Sequence, residues 1–79
     1  MNKRLNTILA EVFALRETEI HPDLRKPDVG NWDSLRQMDL VMTLEREYSV
    51  VLEISDILKL GSVADILDVL KDKGVDLGD

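Results

Sequence analysis

The pair Asp33-Ser34 is the place in this chain where residue types and order could support chemistry. A serine hydroxyl at the first turn of a helix sits beside unpaired backbone N–H groups and the positive end of the helix dipole, a setting that favours an anion. A phosphate ester formed on the Ser34 hydroxyl would be stabilised there. The neighbouring Asp33 carboxylate would repel that phosphate, so Asp33 must cap the helix or position a cation for the enzyme performing the transfer. Taken alone, a serine at a helix start is also an ordinary structural choice. Hydrolysis by Ser34 would need a base. The single histidine, His21, lies in the loop Glu19-Ile20-His21-Pro22-Asp23, and no nucleophile-elbow glycines flank Ser34. No catalytic residue is therefore assigned. One imidazole with Glu19 and Asp23 makes a poor metal site, and Asp28, Asn31 and Asp33 lack the spacing and closing Glu of a calcium loop, so no metal site is assigned either. The absence of cysteine excludes a thiolate nucleophile and cysteine-ligated metal; any thiol the protein uses must be attached to it.

The elements that position Ser34 can be read from periodicity. Leu5, Ile8, Leu9, Val12 and Phe13 recur at three- and four-residue intervals and predict an amphipathic helix from about Asn2 to Arg16. A long connection, Glu17 to Asp33, follows, broken by Pro22, Pro27 and Gly30, with Ile20, Leu24 and Val29 spaced as apolar anchors. A loop of that length with such anchors should be ordered and should deliver what stands at its end, Asp33-Ser34-Leu35. A second helix is expected from Ser34 to about Tyr48, capped by Asp33. Val50-Val51-Leu52 is too short and unpartnered for a strand. Ser55 is expected to cap a short helix, Asp56 to Leu60, stopped by Gly61. Ser62-Val63-Ala64-Asp65 resembles a capping box opening a last helix whose buried stripe is Val63, Ile66, Leu67 and Leu70. Gly74 is the expected stop, and the tail Val75 to Asp79 is expected to fray. The fold class is all-α: a four-helix bundle, three main helices and one short, with a long first loop.

The second helix is more apolar than one buried stripe requires. At about 100° per residue, Leu40, Val41, Leu44 and Tyr48 form an inward face, while Leu35, Met38 and Met42 cluster on a second stripe centred about 140° away. Ser34 and Glu45 project between the stripes, and Asp39 and Arg46 border the second. Two methionines in an apolar patch with a charged rim suit a docking surface, unless the later helices cover them.

Composition bounds the function classes. Seventy-nine residues predict a single domain spanning 1–79, and 44% apolar with 33% charged residues predicts a folded globular chain. The formal charge of −6 argues against nucleic acid and for basic partners. Residues 1–26 carry five Lys/Arg against four Asp/Glu, residues 27–79 five against twelve, so the acidic surface lies in the second part. No apolar run could span a bilayer and no signal peptide is evident, which predicts a cytoplasmic protein; a monomer is expected.

Asp33-Ser34-Leu35, then Met38-Asp39-Leu40-Val41-Met42-Thr43-Leu44-Glu45 and Glu47-Tyr48, resembles the acyl carrier proteins, and the resemblance extends over nearly the whole acidic chain. It implies a four-helix carrier bundle with Ser34 as the attachment point of a 4′-phosphopantetheine arm from coenzyme A and Asp33 as its companion acid. The arm's thiol would then hold acyl intermediates of fatty-acid, polyketide or related specialised biosynthesis as thioesters. The resemblance further implies partner contacts by Leu35, Met38 and Met42 and, through their charge, by Asp39, Glu45 and Glu47. The partners would be a phosphopantetheinyl transferase and acyl-loading ligases, acyltransferases or synthases with basic patches. Ala64 and Ile66 fall near the family's acyl-cavity lining. Arg36 and Arg46 depart from the acidic pattern and bear on partner choice. Trp32, in Asn-Trp-Asp-Ser-Leu, is expected to pin the loop end to the bundle; packing under the arm is the other role open to it. An aminoacyl load delivered by an adenylating ligase, or a helical adaptor that carries no arm, remain the alternatives.

Overall fold

A computed structural model describes residues 2–78; Met1 and Asp79 lie outside the described residues. Four α-helices form the structure: α1 (Lys3–Phe13), α2 (Ser34–Tyr48), α3 (Ile54–Leu58) and α4 (Val63–Asp72). The long first loop contains two 3₁₀ turns, Glu17–Glu19 and Lys26–Asp28.

The helices start and stop for identifiable reasons. Asn2 Oδ1 accepts the Leu5 N–H at 3.0 Å and opens α1. The helix ends at Phe13, three residues before the expected Arg16. Ala14 turns left-handed (φ 55°, ψ 44°) and the Leu15 N–H returns to the Ala10 carbonyl at 2.9 Å, which lets Leu15 pack against the core. The same device closes α2 at Ser49 (φ 53°), where the Val50 N–H reaches the Glu45 carbonyl. Gly74 (φ 83°) closes α4 as expected.

Two other boundaries differ from the sequence reading. The short helix occupies Ile54–Leu58 rather than Asp56–Leu60; its cap is Glu53, not Ser55, because Asp56 reaches back and accepts the Glu53 N–H at 2.9 Å. At α4, Ser62 Oγ accepts the Asp65 N–H at 3.0 Å as a capping box requires, but Asp65 reaches one residue beyond the cap and accepts the Gly61 N–H at 3.0 Å. The tail is not frayed through Gly78. Val75 and Leu77 pack on the core, and Asn2 Nδ2 donates to the Leu77 carbonyl, joining the two ends of the chain.

The core is built from Leu5, Leu9 and Phe13 of α1, Leu40 and Leu44 of α2, and Val63, Ile66 and Leu70 of α4, all essentially inaccessible. Val69 joins them, while Leu67 is only half-buried. The first loop is ordered against this core as its anchors predict, with Ile20 and Val29 buried and Leu24 half-buried. It also completes α4: the Val63 and Ala64 N–H groups, first-turn donors without an intrahelical partner, donate to Leu24 and Pro22 carbonyls at 2.9 and 3.0 Å. The Lys26 N–H donates to the Gly61 carbonyl at 2.9 Å. The loop is thereby fastened to the α3–α4 junction, and its end is held at the start of α2.

Candidate functional site

Ser34 is the first residue of α2, exposed, and its hydroxyl makes no hydrogen bond among the described residues. Asp33 is the cap: its Oδ1 accepts the Arg36 N–H at 2.9 Å, and its carbonyl accepts the Gln37 N–H at 2.8 Å. The serine is therefore presented to solvent by a helix start that does not depend on it. An anion esterified to Oγ would face the remaining first-turn N–H groups and the positive helix end. The arrangement fits a bulky phosphate ester directed outward and provides no base for hydrolysis.

Contacts from Asn31, Trp32, Arg36 and Gln37 fix this helix start. Arg36 Nη1 donates to the Val12 carbonyl at 2.7 Å, and Asn31 Nδ2 to the Phe13 carbonyl at 3.2 Å, so two orphan carbonyls at the end of α1 are satisfied by residues flanking Ser34. The Arg36 cation also lies at the negative end of α1. Trp32 is buried, its ring 4.5 Å from that of Phe13, and so takes the anchoring role. Its Nε1 donates to Gln37 Oε1 at 2.7 Å, and Gln37 Nε2 donates onward to the Ile57 carbonyl at 3.1 Å and the Leu60 carbonyl at 3.5 Å. Gln37 was not singled out from the sequence. The signal was there: its register places it in the middle of the inward face of α2, a polar residue among leucines.

The second stripe of α2 is exposed. Leu35, Met38 and Met42 are 79%, 49% and 63% accessible, so the reading in which later helices cover them is overturned. With Arg36 and Asp39 they line a shallow groove beside Ser34. The three acidic residues differ. Asp39 is exposed and in no ion pair among the described residues. Glu45 is half-buried and accepts the Leu52 N–H at 2.9 Å, tying down the connection to α3. Glu47 is half-buried, at 3.4 Å from both the Arg4 and Arg46 guanidinium groups.

Ala64 and Ile66 do not meet in one cavity. Ala64 lines a groove on the outer side of α4 with Pro22, Leu67, Val75 and Leu77, whereas Ile66 is fully buried in the core. The weak metal candidates are not brought together: Glu19 accepts from Arg16, Asp28 from the Arg25 N–H, Asn31 donates to Phe13 and His21 is exposed.

Residues 3–70 match the family model described as "Phosphopantetheine attachment site". The acyl carrier protein of Thermotoga maritima is 29% identical over 70 residues, which span 89% of this chain and 86% of the relative. The solution structure of a holo acyl carrier protein from Geobacter metallireducens superposes with a TM-score of 0.78 at 28% identity, covering 89% of this chain and 80% of that one. The four helices, the outward-facing serine that opens α2 and these likenesses converge: the chain belongs to the phosphopantetheine attachment family and is an acyl-carrier-type protein, a carrier of covalently attached 4′-phosphopantetheine and not a catalyst.

Proposed function

We propose that Ser34 is the attachment residue and that the protein presents acyl thioesters to successive biosynthetic enzymes. The observation that carries this reading is the free, exposed Ser34 hydroxyl at the α2 N-terminus, within the span matched by the family model. In loading, Ser34 Oγ loses its proton to the transferase and forms the phosphodiester, while the nucleotide part of coenzyme A departs. Once attached, the arm ends in a thiol that holds a carboxylic acid as a thioester. Asp33 keeps the helix start in place and offers its outer carboxylate oxygen to a cation in the transferase complex. Leu35, Met38 and Met42 form the apolar part of the partner surface, with Asp39 its unpaired charge. Glu45 and Glu47 contribute as acids already engaged within the chain.

The partners are then a phosphopantetheinyl transferase and loading and extending enzymes with basic patches, all in the cytoplasm. No helix among the described residues is long and apolar enough to cross a membrane. The acyl load is favoured over an aminoacyl one by the names of the relatives. The test is intact mass after incubation with coenzyme A, magnesium and a broad-specificity transferase. A single added arm on the wild type and none on Ser34→Ala supports the reading; an arm on Ser34→Ala refutes it. Ser34→Ala keeps the fold, because Asp33 still caps α2.

A further inference from the structure

We propose that Gln37 is a polar latch that closes the α2–α3 seam beneath Ser34, so that the cargo stays on the protein surface and the carrier serves short or polar acyl groups. This rests on the reading of Ser34 as the attachment residue. Ser34 and Gln37 are three residues apart on α2 and therefore neighbours on its surface. Ser34 points to solvent, while Gln37 is only 8% accessible and turns inward.

The amide of Gln37 is used on both sides. Its oxygen accepts the Trp32 indole N–H at 2.7 Å, and its nitrogen donates to the Ile57 and Leu60 carbonyls at 3.1 and 3.5 Å, at the end of α3 and just beyond it. The indole is in turn held against Phe13 of α1. One side chain thus joins the loop end, α2 and the end of α3, one helical turn from Ser34. An alkyl group entering between α2 and α3 must part Gln37 from its partners, leaving the indole N–H without its acceptor and the Leu60 carbonyl without its donor among apolar side chains, while the Ile57 carbonyl keeps the Leu60 N–H at 3.1 Å. A short chain buries too few methylenes to offset that loss, and a polar group gains nothing by entering.

The test loads uniformly ¹⁵N-labelled protein from acetyl- and octanoyl-coenzyme A with the transferase. The chain has one tryptophan, so its indole N–H gives a single resonance that reports the latch directly. The two loaded forms should agree at the Trp32 indole, at the Gln37 side-chain amide and at the core amides of Leu40, Leu44 and Ile66. They should also melt at the same temperature. In Gln37→Ala and in Trp32→Phe, which removes the indole donor with part of the ring but leaves Gln37 in place and guards against loss of the fold in the first variant, octanoyl loading should shift the core amides and raise the melting temperature above that of the acetyl form. Octanoyl-specific core shifts in the wild type would overturn the latch, and so would variants in which octanoyl still leaves the core unchanged. Absence of any mass increase on loading would instead overturn the attachment reading, on which the latch depends.

Discussion

Replacing Gln37 by leucine should expose how much the buried relay contributes to stability. The substitution nearly conserves volume, so no large cavity opens, and the cost falls on the groups left behind. The Trp32 indole N–H loses its acceptor at 2.7 Å and the Leu60 carbonyl its donor at 3.5 Å, while the Ile57 carbonyl keeps the Leu60 N–H at 3.1 Å. Each buried polar group left unpaired costs about 1–3 kcal/mol, and the extra apolar contact of leucine returns about 1 kcal/mol. The net loss should be about 2 kcal/mol, a fall in melting temperature of about 8–16 °C for a chain of this size. Trp32→Phe removes the donor and part of a buried ring, costing about 1–3 kcal/mol. Because the two variants break the same hydrogen bond, the double variant should be less destabilised than the sum by about 1 kcal/mol in urea unfolding followed by circular dichroism. Additivity within about 0.3 kcal/mol would refute the relay as an energetic unit.

Met42→Glu should leave stability within about 0.5 kcal/mol of the wild type, because Met42 is exposed, whereas Leu44→Ala on the opposite face should cost about 2–5 kcal/mol. Partner titration should show Met42→Glu weakened in docking while melting as the wild type does. Ala14→Gly should raise stability by about 1 kcal/mol in chemical denaturation, since a left-handed turn penalises any residue with a Cβ. The Lys73 ammonium, 2.7 Å from Asp56, and the Glu53 N–H hold the Asp56 carboxyl below its ordinary range. Its stabilisation is therefore present above the ordinary carboxylate pKa and lost as pH falls through the lowered one. Asp56→Asn should accordingly flatten the acid limb of a pH-dependent unfolding curve. Asp56 likewise raises the Lys73 pKa, so the ammonium's contribution persists until pH climbs past its ordinary value.

Most of the fold was legible because its helices obey local rules. The stripes of α1 and α4, the Asp33 cap, the ordered loop anchors and the Gly74 stop all follow from spacing and residue type. The errors fall where a tertiary contact overrides a local preference. The end of α1 is set by Leu15 folding back onto the core through a left-handed alanine, a conformation that no alanine announces. The short helix starts early because Asp56 caps Glu53 while also pairing with Lys73 at the far end of α4. The tail is held by Asn2, seventy-five residues away in sequence. At the candidate site, the Asp33 cap, the position of Ser34 at the start of α2 and the second stripe were readable, but the contacts of Arg36 and Gln37 were not. Both act through carbonyls of other elements, and backbone acceptors leave no mark in side-chain patterns.

Those carbonyl contacts also change what the charges of α2 mean. By sequence, Arg36 and Arg46 interrupt an acidic surface formed by Asp39, Glu45 and Glu47. In the folded protein Arg36 is turned toward the end of α1, where the Val12 carbonyl takes its donor, and Arg46 lies against Glu47. Glu47 is flanked by two cations and Glu45 is engaged with the Leu52 backbone, so the acid that meets a basic partner with least prior commitment is Asp39. It borders the same groove as Met38 and Met42. α2 therefore presents one free carboxylate at the edge of a methionine-rich patch beside Ser34, rather than a continuous acidic ridge. Exposed charge pairs contribute little and are screened by salt, so on the docking role proposed for α2 the apolar stripe would supply most of the affinity and Asp39 would orient the encounter.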